Sequence, residues 1–123
     1  MDFAETRPEG VLSAEYGGEG RLNIGGREYT HPVGLIGTDC FALAEDSPLQ
    51  CSADSFAPYF ARYGRPEIIL LGTGSRQLFP NPQTMAALAA QGVGLEAMST
   101  PAACRTLLLL QSEGRRVWAW LWP

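Results

Sequence analysis

A glycine-rich segment directly after an apolar run is the part of this sequence best suited to hold an anion. It reads Gly72-Thr73-Gly74-Ser75-Arg76. Glycine lets a backbone approach a ligand closely, free backbone N–H groups can cradle an anion, and an arginine adds a charged fork. The spacing matches neither GxGxxG nor a phosphate-binding loop with its lysine, so no nucleotide fingerprint is present. The favoured alternative is a tight turn from strand to loop that needs glycine for its backbone geometry.

Glu96 is the second candidate for chemistry because it lies in an otherwise apolar stretch. An unpaired charge inside such a strand would be costly. We therefore expect a partner for it, such as Arg105 or a backbone amide. In the catalytic interpretation Glu96 acts as a general acid or base on an anionic ligand held by Thr73, Ser75 and Arg76. A structural ion pair or a helix cap is the favoured interpretation.

The remaining reactive side chains give little support to catalysis. The only histidine, His31, precedes a proline, and nothing near it marks it as a base. The cysteines show no CxxC spacing, so neither a zinc site nor a disulfide framework is predicted. The charge of Arg105 could lower the pKa of the neighbouring Cys104 thiol and make it reactive, but an unreactive thiol packed in the core is the commoner case. We expect no catalytic residue, no metal site and no cofactor; an enzyme stays open, although a protein without catalysis is favoured.

Composition is that of a folded soluble domain. The chain has 123 residues, of which 46% are hydrophobic and 18% charged, and this apolar content excludes disorder. Its net charge of −4 argues against nucleic acid as a partner. No apolar run approaches the roughly 20 residues of a membrane helix, and residues 1–10 show no signal peptide. We expect a protein of a bacterial cytoplasm, with peripheral association at the inner membrane left open.

The elements that must position these residues fall into two regions of one domain spanning residues 1–123. Residues 11–44 are rich in glycine and in short alternating stretches, and are expected to form a β-rich hairpin layer. Gly25-Gly26 predicts a two-residue hairpin turn, since both central positions of such a turn prefer a positive φ. The predicted strands of this region are 11–16, 21–24, 27–30, 33–36 and 41–43.

The second region, residues 53–123, alternates helices and strands, which indicates an α/β layer. Aromatic residues at spacings of three and four form an apolar helical stripe within residues 54–63. Asn81-Pro82 and Thr100-Pro101 each resemble a helix cap followed by proline in the first turn. Helices are predicted over 54–63, between 81 and 92 and between 100 and 114, and strands over 67–71, 93–98 and 116–122.

The last predicted strand is apolar on both faces, which favours a place inside the sheet. Alternate residues point to opposite faces of a strand. One face carries Val117, Ala119 and Leu121, and the other carries Trp118, Trp120 and Trp122. The core is the favoured place for the first two tryptophans, whereas Trp122 could lie in the core or in an exposed patch. A homodimer through Trp122 and a sheet edge is the corresponding alternative.

Four stretches resemble one known family in their order and spacing: residues 66–74, 92–100, 103–106 and 113–115. It is a family of small uncharacterised α/β proteins, first described structurally in a methanogen. The family also contains assembly factor 3 of mitochondrial NADH:ubiquinone oxidoreductase, respiratory complex I. The resemblance covers residues 66–123 well and the N-terminal half only in its β-rich plan.

The resemblance implies a three-layer (β+α/β/α) fold. Its central mixed sheet would have about five strands, with the last strand interior and antiparallel to the others. It also implies a non-catalytic binding or assembly protein whose partners include subunits of a membrane complex. Leu107 and Leu108 stand where relatives usually carry an aromatic residue and an asparagine, which argues against a shared enzymatic site. By position, the family's shared surface would comprise Gly72, Thr73, Gly74, Glu96, Met98, Thr100, Arg105 and Thr106.

Overall fold

A computed structural model describes residues 12–123. The expectations for a strand start at Val11 and for residues 1–10 lie outside this range. Within it, two sheets are present, one of three and one of five strands. The small sheet comprises β1 (Ala14–Tyr16), β2 (Leu22–Ile24) and β3 (Arg27–Tyr29). The central sheet comprises β4 (Val33–Ile36), β5 (Asp39–Ala42), β6 (Ile68–Thr73), β7 (Gly94–Met98) and β8 (Val117–Trp122). The helices are α1 (Ala53–Tyr63), α2 (Pro82–Ala89) and α3 (Thr100–Ser112), with a 3₁₀ turn at Pro48–Gln50.

The predicted hairpin of the small sheet is present. Gly25 and Gly26 have φ values of 59° and 86° and join β2 to β3, which run antiparallel. Leu22 and Ile24 are buried while Asn23 between them is exposed. The alternation gives the small sheet one apolar face, and that face packs against the rest of the molecule.

The central sheet has the strand order β5-β4-β8-β6-β7, so the last strand is interior as expected. The expectation that β8 runs antiparallel to the other strands is wrong for one of its two neighbours. It is antiparallel to β4 but parallel to β6. The cause is α3, which carries the chain from the end of β7 back along the sheet, so that β8 starts at the same end as β6.

The molecule has three layers with this sheet in the middle, as the resemblance implied. The small sheet and α3 cover one face, and α1 and α2 cover the other. All three tryptophans of β8 face α1 and α2 and are buried, with Trp122 only 4% exposed. The indole Nε1 of Trp122 donates a hydrogen bond to the carbonyl oxygen of Glu45 at 3.0 Å. Trp122 therefore belongs to the core, and the exposed patch considered for it is absent.

Helix ends follow the local sequence with one exception. Gly64 ends α1 with a φ of 80°, and the side chain of Asn81 caps α2 as the Asn81-Pro82 pair predicts. At α3 the capping side chain belongs to Ser99, whose hydroxyl accepts from the N–H of Ala102, and not to Thr100. The side chain of Thr100 is thereby free for contacts inside the molecule.

Candidate functional site

The loop that follows β6, residues 74–81, leaves the carboxyl end of a central strand. This is the edge where parallel strands of α/β proteins commonly place ligand and partner sites. Gly74 turns the chain with a φ of 92°. Ser75, Arg76 and Phe79 then point to solvent. We call residues 74–81 the β6–α2 loop.

The buried hydroxyl of Thr73 fixes the β6–α2 loop through hydrogen bonds. It accepts a hydrogen bond from the N–H of Leu78 at 3.0 Å. It also lies 2.7 Å from the carbonyl oxygen of Arg76 and 3.1 Å from that of Met98. One hydroxyl proton serves one of these acceptors at a time. The arrangement ties the middle of the loop to the end of β7.

Thr100 holds the start of the loop in the same way. Its fully buried hydroxyl accepts from the N–H of Gly74 at 2.8 Å and donates to the carbonyl oxygen of Trp122 at 2.6 Å. The N–H of Thr100 donates in turn to the carbonyl oxygen of Gly74 at 2.7 Å. The backbone amide that an anion cradle would use at Gly74 is therefore already bound within the protein.

Gly72 allows α3 to approach β6 closely. A Cβ atom at this position would lie 2.8 Å from Cδ2 of Leu121 and 3.1 Å from Cα of Thr100. Real Cβ atoms do not approach neighbours this closely without something shifting. Gly72 therefore serves the packing of α3 against β6, whereas the turn geometry expected of the glycine segment is found at Gly74.

Glu96 and Arg105 do not join this arrangement. β7 is an edge strand, and Glu96 alternates with buried Leu95 so that its side chain is exposed. Arg105 is exposed on α3, and Thr106 is half-buried there. Among residues 12–123 no ion pair connects Glu96 with Arg105. The expectation of a buried, paired Glu96 is wrong because the strand lies at the edge of the sheet.

Phe79 is the feature that sequence analysis missed. Its side chain is 74% exposed, although the loop that carries it is fixed by the hydroxyl of Thr73 and by a 2.9 Å hydrogen bond from Gln77 Nε2 to the carbonyl oxygen of Ala97. Exposed apolar side chains also occur on the 3₁₀ turn and on α2, at Leu49 and Met85. The only sequence signal for Phe79 was its place between a glycine segment and two prolines.

Cys51 and Cys104 are buried free thiols whose pKa values are raised. Burial, together with a smaller contribution from the carboxylate of Glu45, raises the pKa of Cys51 to about 12. Burial raises the pKa of Cys104 to about 11, although Arg105 acts in the opposite direction. No group of three His, Cys, Asp or Glu side chains in residues 12–123 is arranged to hold a metal ion. Across the same residues, no helix has the length and apolar character needed to cross a membrane.

Comparison with known proteins places this chain in a family. Residues 15–122 match the family described as protein of unknown function, DUF498/DUF598. The chain therefore belongs to this family of small α/β proteins. A Bordetella parapertussis protein of known crystal structure has a TM-score of 0.82 and 30% identity, covering 94% of this chain and 99% of that chain. The three-layer fold is confirmed.

Two curated relatives carry descriptive names. The "13 kDa major membrane protein" of Francisella tularensis subsp. holarctica is 35% identical over 97 residues, covering 78% of this chain and 76% of that protein. NADH dehydrogenase (ubiquinone) 1 alpha subcomplex assembly factor 3 of Mus musculus is 29% identical over 116 residues. That match covers 94% of this chain and 62% of the assembly factor, so the chain spans less than two thirds of its length. The resemblance to the assembly-factor family is confirmed.

Proposed function

We propose that this chain is a protein-binding module that acts in the assembly of a membrane-bound respiratory complex. The β6–α2 loop is its partner surface. The observation that carries the proposal is Phe79, an aromatic side chain 74% exposed on a loop whose backbone is fixed by buried hydroxyl groups. The relationship to the assembly factor, which extends over 94% of this chain, supplies the biological setting.

A fixed loop is well suited to bind a partner. The loop is already ordered by Thr73 and Thr100, so little conformational entropy is lost when a partner is bound. Aromatic and arginine side chains are enriched at protein interfaces, and arginine is also enriched among hot-spot residues. Phe79 and Arg76 are both exposed on this loop. We expect Phe79 to enter an apolar pocket of the partner and Arg76 to pair with a carboxylate beside it.

The site of action in this proposal is the cytoplasmic face of the inner membrane. Attachment there would come through the partner subunit, with Phe79 and the exposed Leu49 and Met85 forming the apolar contact. The loop does not require a ligand or cofactor for this role. The loop makes its hydrogen bonds to the hydroxyl groups of Thr73 and Thr100 and to the carbonyl oxygen of Ala97.

Gene replacement in the source organism tests the proposal. The gene is deleted, and assembled NADH dehydrogenase in solubilised membranes is measured by native electrophoresis. We expect loss of the assembled complex, rescue by the wild-type chain and failure of rescue by Phe79→Ser combined with Arg76→Ala. Leu109→Ser is the matched control, because Leu109 is 57% exposed but lies on α3. Normal assembly in the deletion strain would contradict the role, and full rescue by the loop variant would contradict the surface.

A further inference from the structure

A cleft of about 780 Å³ lies between the small sheet, β5 and α1, away from the β6–α2 loop. Half-buried aromatic side chains, including Tyr29, Phe41 and Tyr59, line its floor, and exposed Arg27 and Arg62 stand at its rim. Its volume lies within the usual range for ligand sites. Neither the family nor the proposed function accounts for this cleft.

Two strand edges border the cleft. Within residues 12–123, β3 pairs only with β2 and β5 pairs only with β4. Each strand therefore has alternate backbone N–H and C=O groups on its outer side without a strand partner. Arg27 and Tyr29 of β3 and Cys40 of β5 line the cleft directly. An extended peptide can pair with such an edge through its main chain.

The charge around the cleft is opposite to that of the whole protein. The chain has a net charge of −4, and all nine of its basic residues are arginines. A second cleft of about 220 Å³ adjoins the first at Tyr63, which lines both, and adds Arg65, Arg115 and Arg116. Five of the nine arginines thus border two adjoining clefts.

Two acidic side chains near the clefts, Asp39 and Glu67, already have partners within the protein. The carboxylate of Asp39 accepts a hydrogen bond from the hydroxyl of Tyr63 at 2.6 Å. Glu67 lies 3.8 Å from Arg115. Among residues 12–123, Arg27 and Arg62 form no ion pair. A long, basic path beside two unpaired strand edges fits an extended polyanion better than a compact anion.

We propose that the larger cleft binds an extended acidic segment of a partner protein. The segment adds as a strand along β5, places its carboxylates against Arg27 and Arg62, and continues toward Arg65. Its apolar side chains face Phe41 and Tyr59. This site is separate from the β6–α2 loop, and it does not depend on the proposed function.

A peptide titration tests this site. A fluorescein-labelled peptide of alternating Glu and Val, eight residues long, is titrated with the full chain at low salt, and its Gln-Val counterpart is the control. We expect at least tenfold tighter binding of the Glu peptide, weakened by added salt. The double variant Arg27→Gln/Arg62→Gln should lose at least tenfold in affinity. Arg105→Gln, at an exposed position of α3, should bind as the wild type does, and thermal melts establish that each variant is folded.

Protection of Cys40 gives a second readout. Cys40 is half-buried in the cleft, whereas Cys51 and Cys104 are buried. The bound Glu peptide should slow alkylation of Cys40, and Phe79→Ser should leave both peptide binding and this protection unchanged. Equal binding of the Gln peptide, or unchanged binding by the arginine double variant, would overturn the proposal. So would binding of an oligothymidylate or of anionic phospholipid vesicles through the same arginines without binding of the peptide.

Discussion

The hydroxyl of Thr100 accepts a hydrogen bond from the N–H of Gly74 at 2.8 Å in the buried interior. This contact joins the first turn of α3 to the start of the β6–α2 loop. Because the same hydroxyl donates to the carbonyl oxygen of Trp122, three separate segments meet at one oxygen atom. The position of the loop therefore depends on a residue 26 positions further along the chain.

Replacing Thr100 by valine should destabilise the protein strongly. The change keeps the side-chain shape but leaves a buried N–H and a buried C=O unsatisfied, which typically costs about 1–3 kcal/mol for each group. Urea unfolding, followed by tryptophan fluorescence, measures the loss in unfolding free energy. Thr106→Val is the control, since Thr106 is half-buried on the same helix and has no side-chain hydrogen bond among the described residues. Equal stability of the two variants would contradict the role assigned to Thr100.

Alanine at Gly72 should also lower stability. The added methyl group would overlap Leu121 and the backbone of Thr100, and overpacking of this kind typically costs about 1–3 kcal/mol. The matched control is Gly94→Ala on neighbouring β7, where an added Cβ would meet its nearest neighbour at an ordinary 3.6 Å. If both alanine variants unfold at the same urea concentration, the close approach of α3 to β6 is not what requires glycine.

Alkaline pH should destabilise the protein through its buried thiols. Burial raises the pKa of Cys51 from 9.0 to about 12 and that of Cys104 from 9.0 to about 11. Above pH 9 the unfolded chain releases these protons while the folded chain keeps them, so the unfolding free energy falls as the pH rises. Below pH 9 both states keep the protons and this contribution is constant.

The urea midpoint measured between about pH 8 and pH 11 checks the prediction. The wild type should lose stability with a steeper pH dependence than the double variant Cys51→Ala/Cys104→Ala. Loss of stability by the variant at all pH values is expected from the small cavities, so the slope is the informative quantity. If the urea midpoints of the wild type and the double variant depend on pH in the same way, the two thiols have the same pKa in the folded and the unfolded chain, which would contradict the prediction.

Local signals predicted much of the fold. Gly25-Gly26 predicted a hairpin because its turn needs two positive φ angles, and both are observed. The aromatic stripe of residues 54–63 predicted α1, and the two apolar faces of residues 116–122 predicted an interior strand. Each of these patterns lies within one element, where the physical cause is local.

The errors involve partners far away in the sequence. Both Ser99 and Thr100 are good helix caps, and the choice between them depends on Gly74 and Trp122, which the folded chain brings to Thr100. Glu96 is exposed because β7 lies at the sheet edge, which no pattern in its own strand reveals. Phe79 is exposed because Thr73 fixes the loop beneath it.

Site-specific photocrosslinking at Phe79 tests the central claim most directly. Benzoylphenylalanine replaces Phe79 in the source cells, and adducts are identified after irradiation by mass spectrometry. The account predicts an adduct with a subunit of the NADH dehydrogenase complex from position 79 and none from the exposed control position 109 on α3. Absence of any adduct at position 79, or adducts only with proteins outside the respiratory complexes, would contradict it.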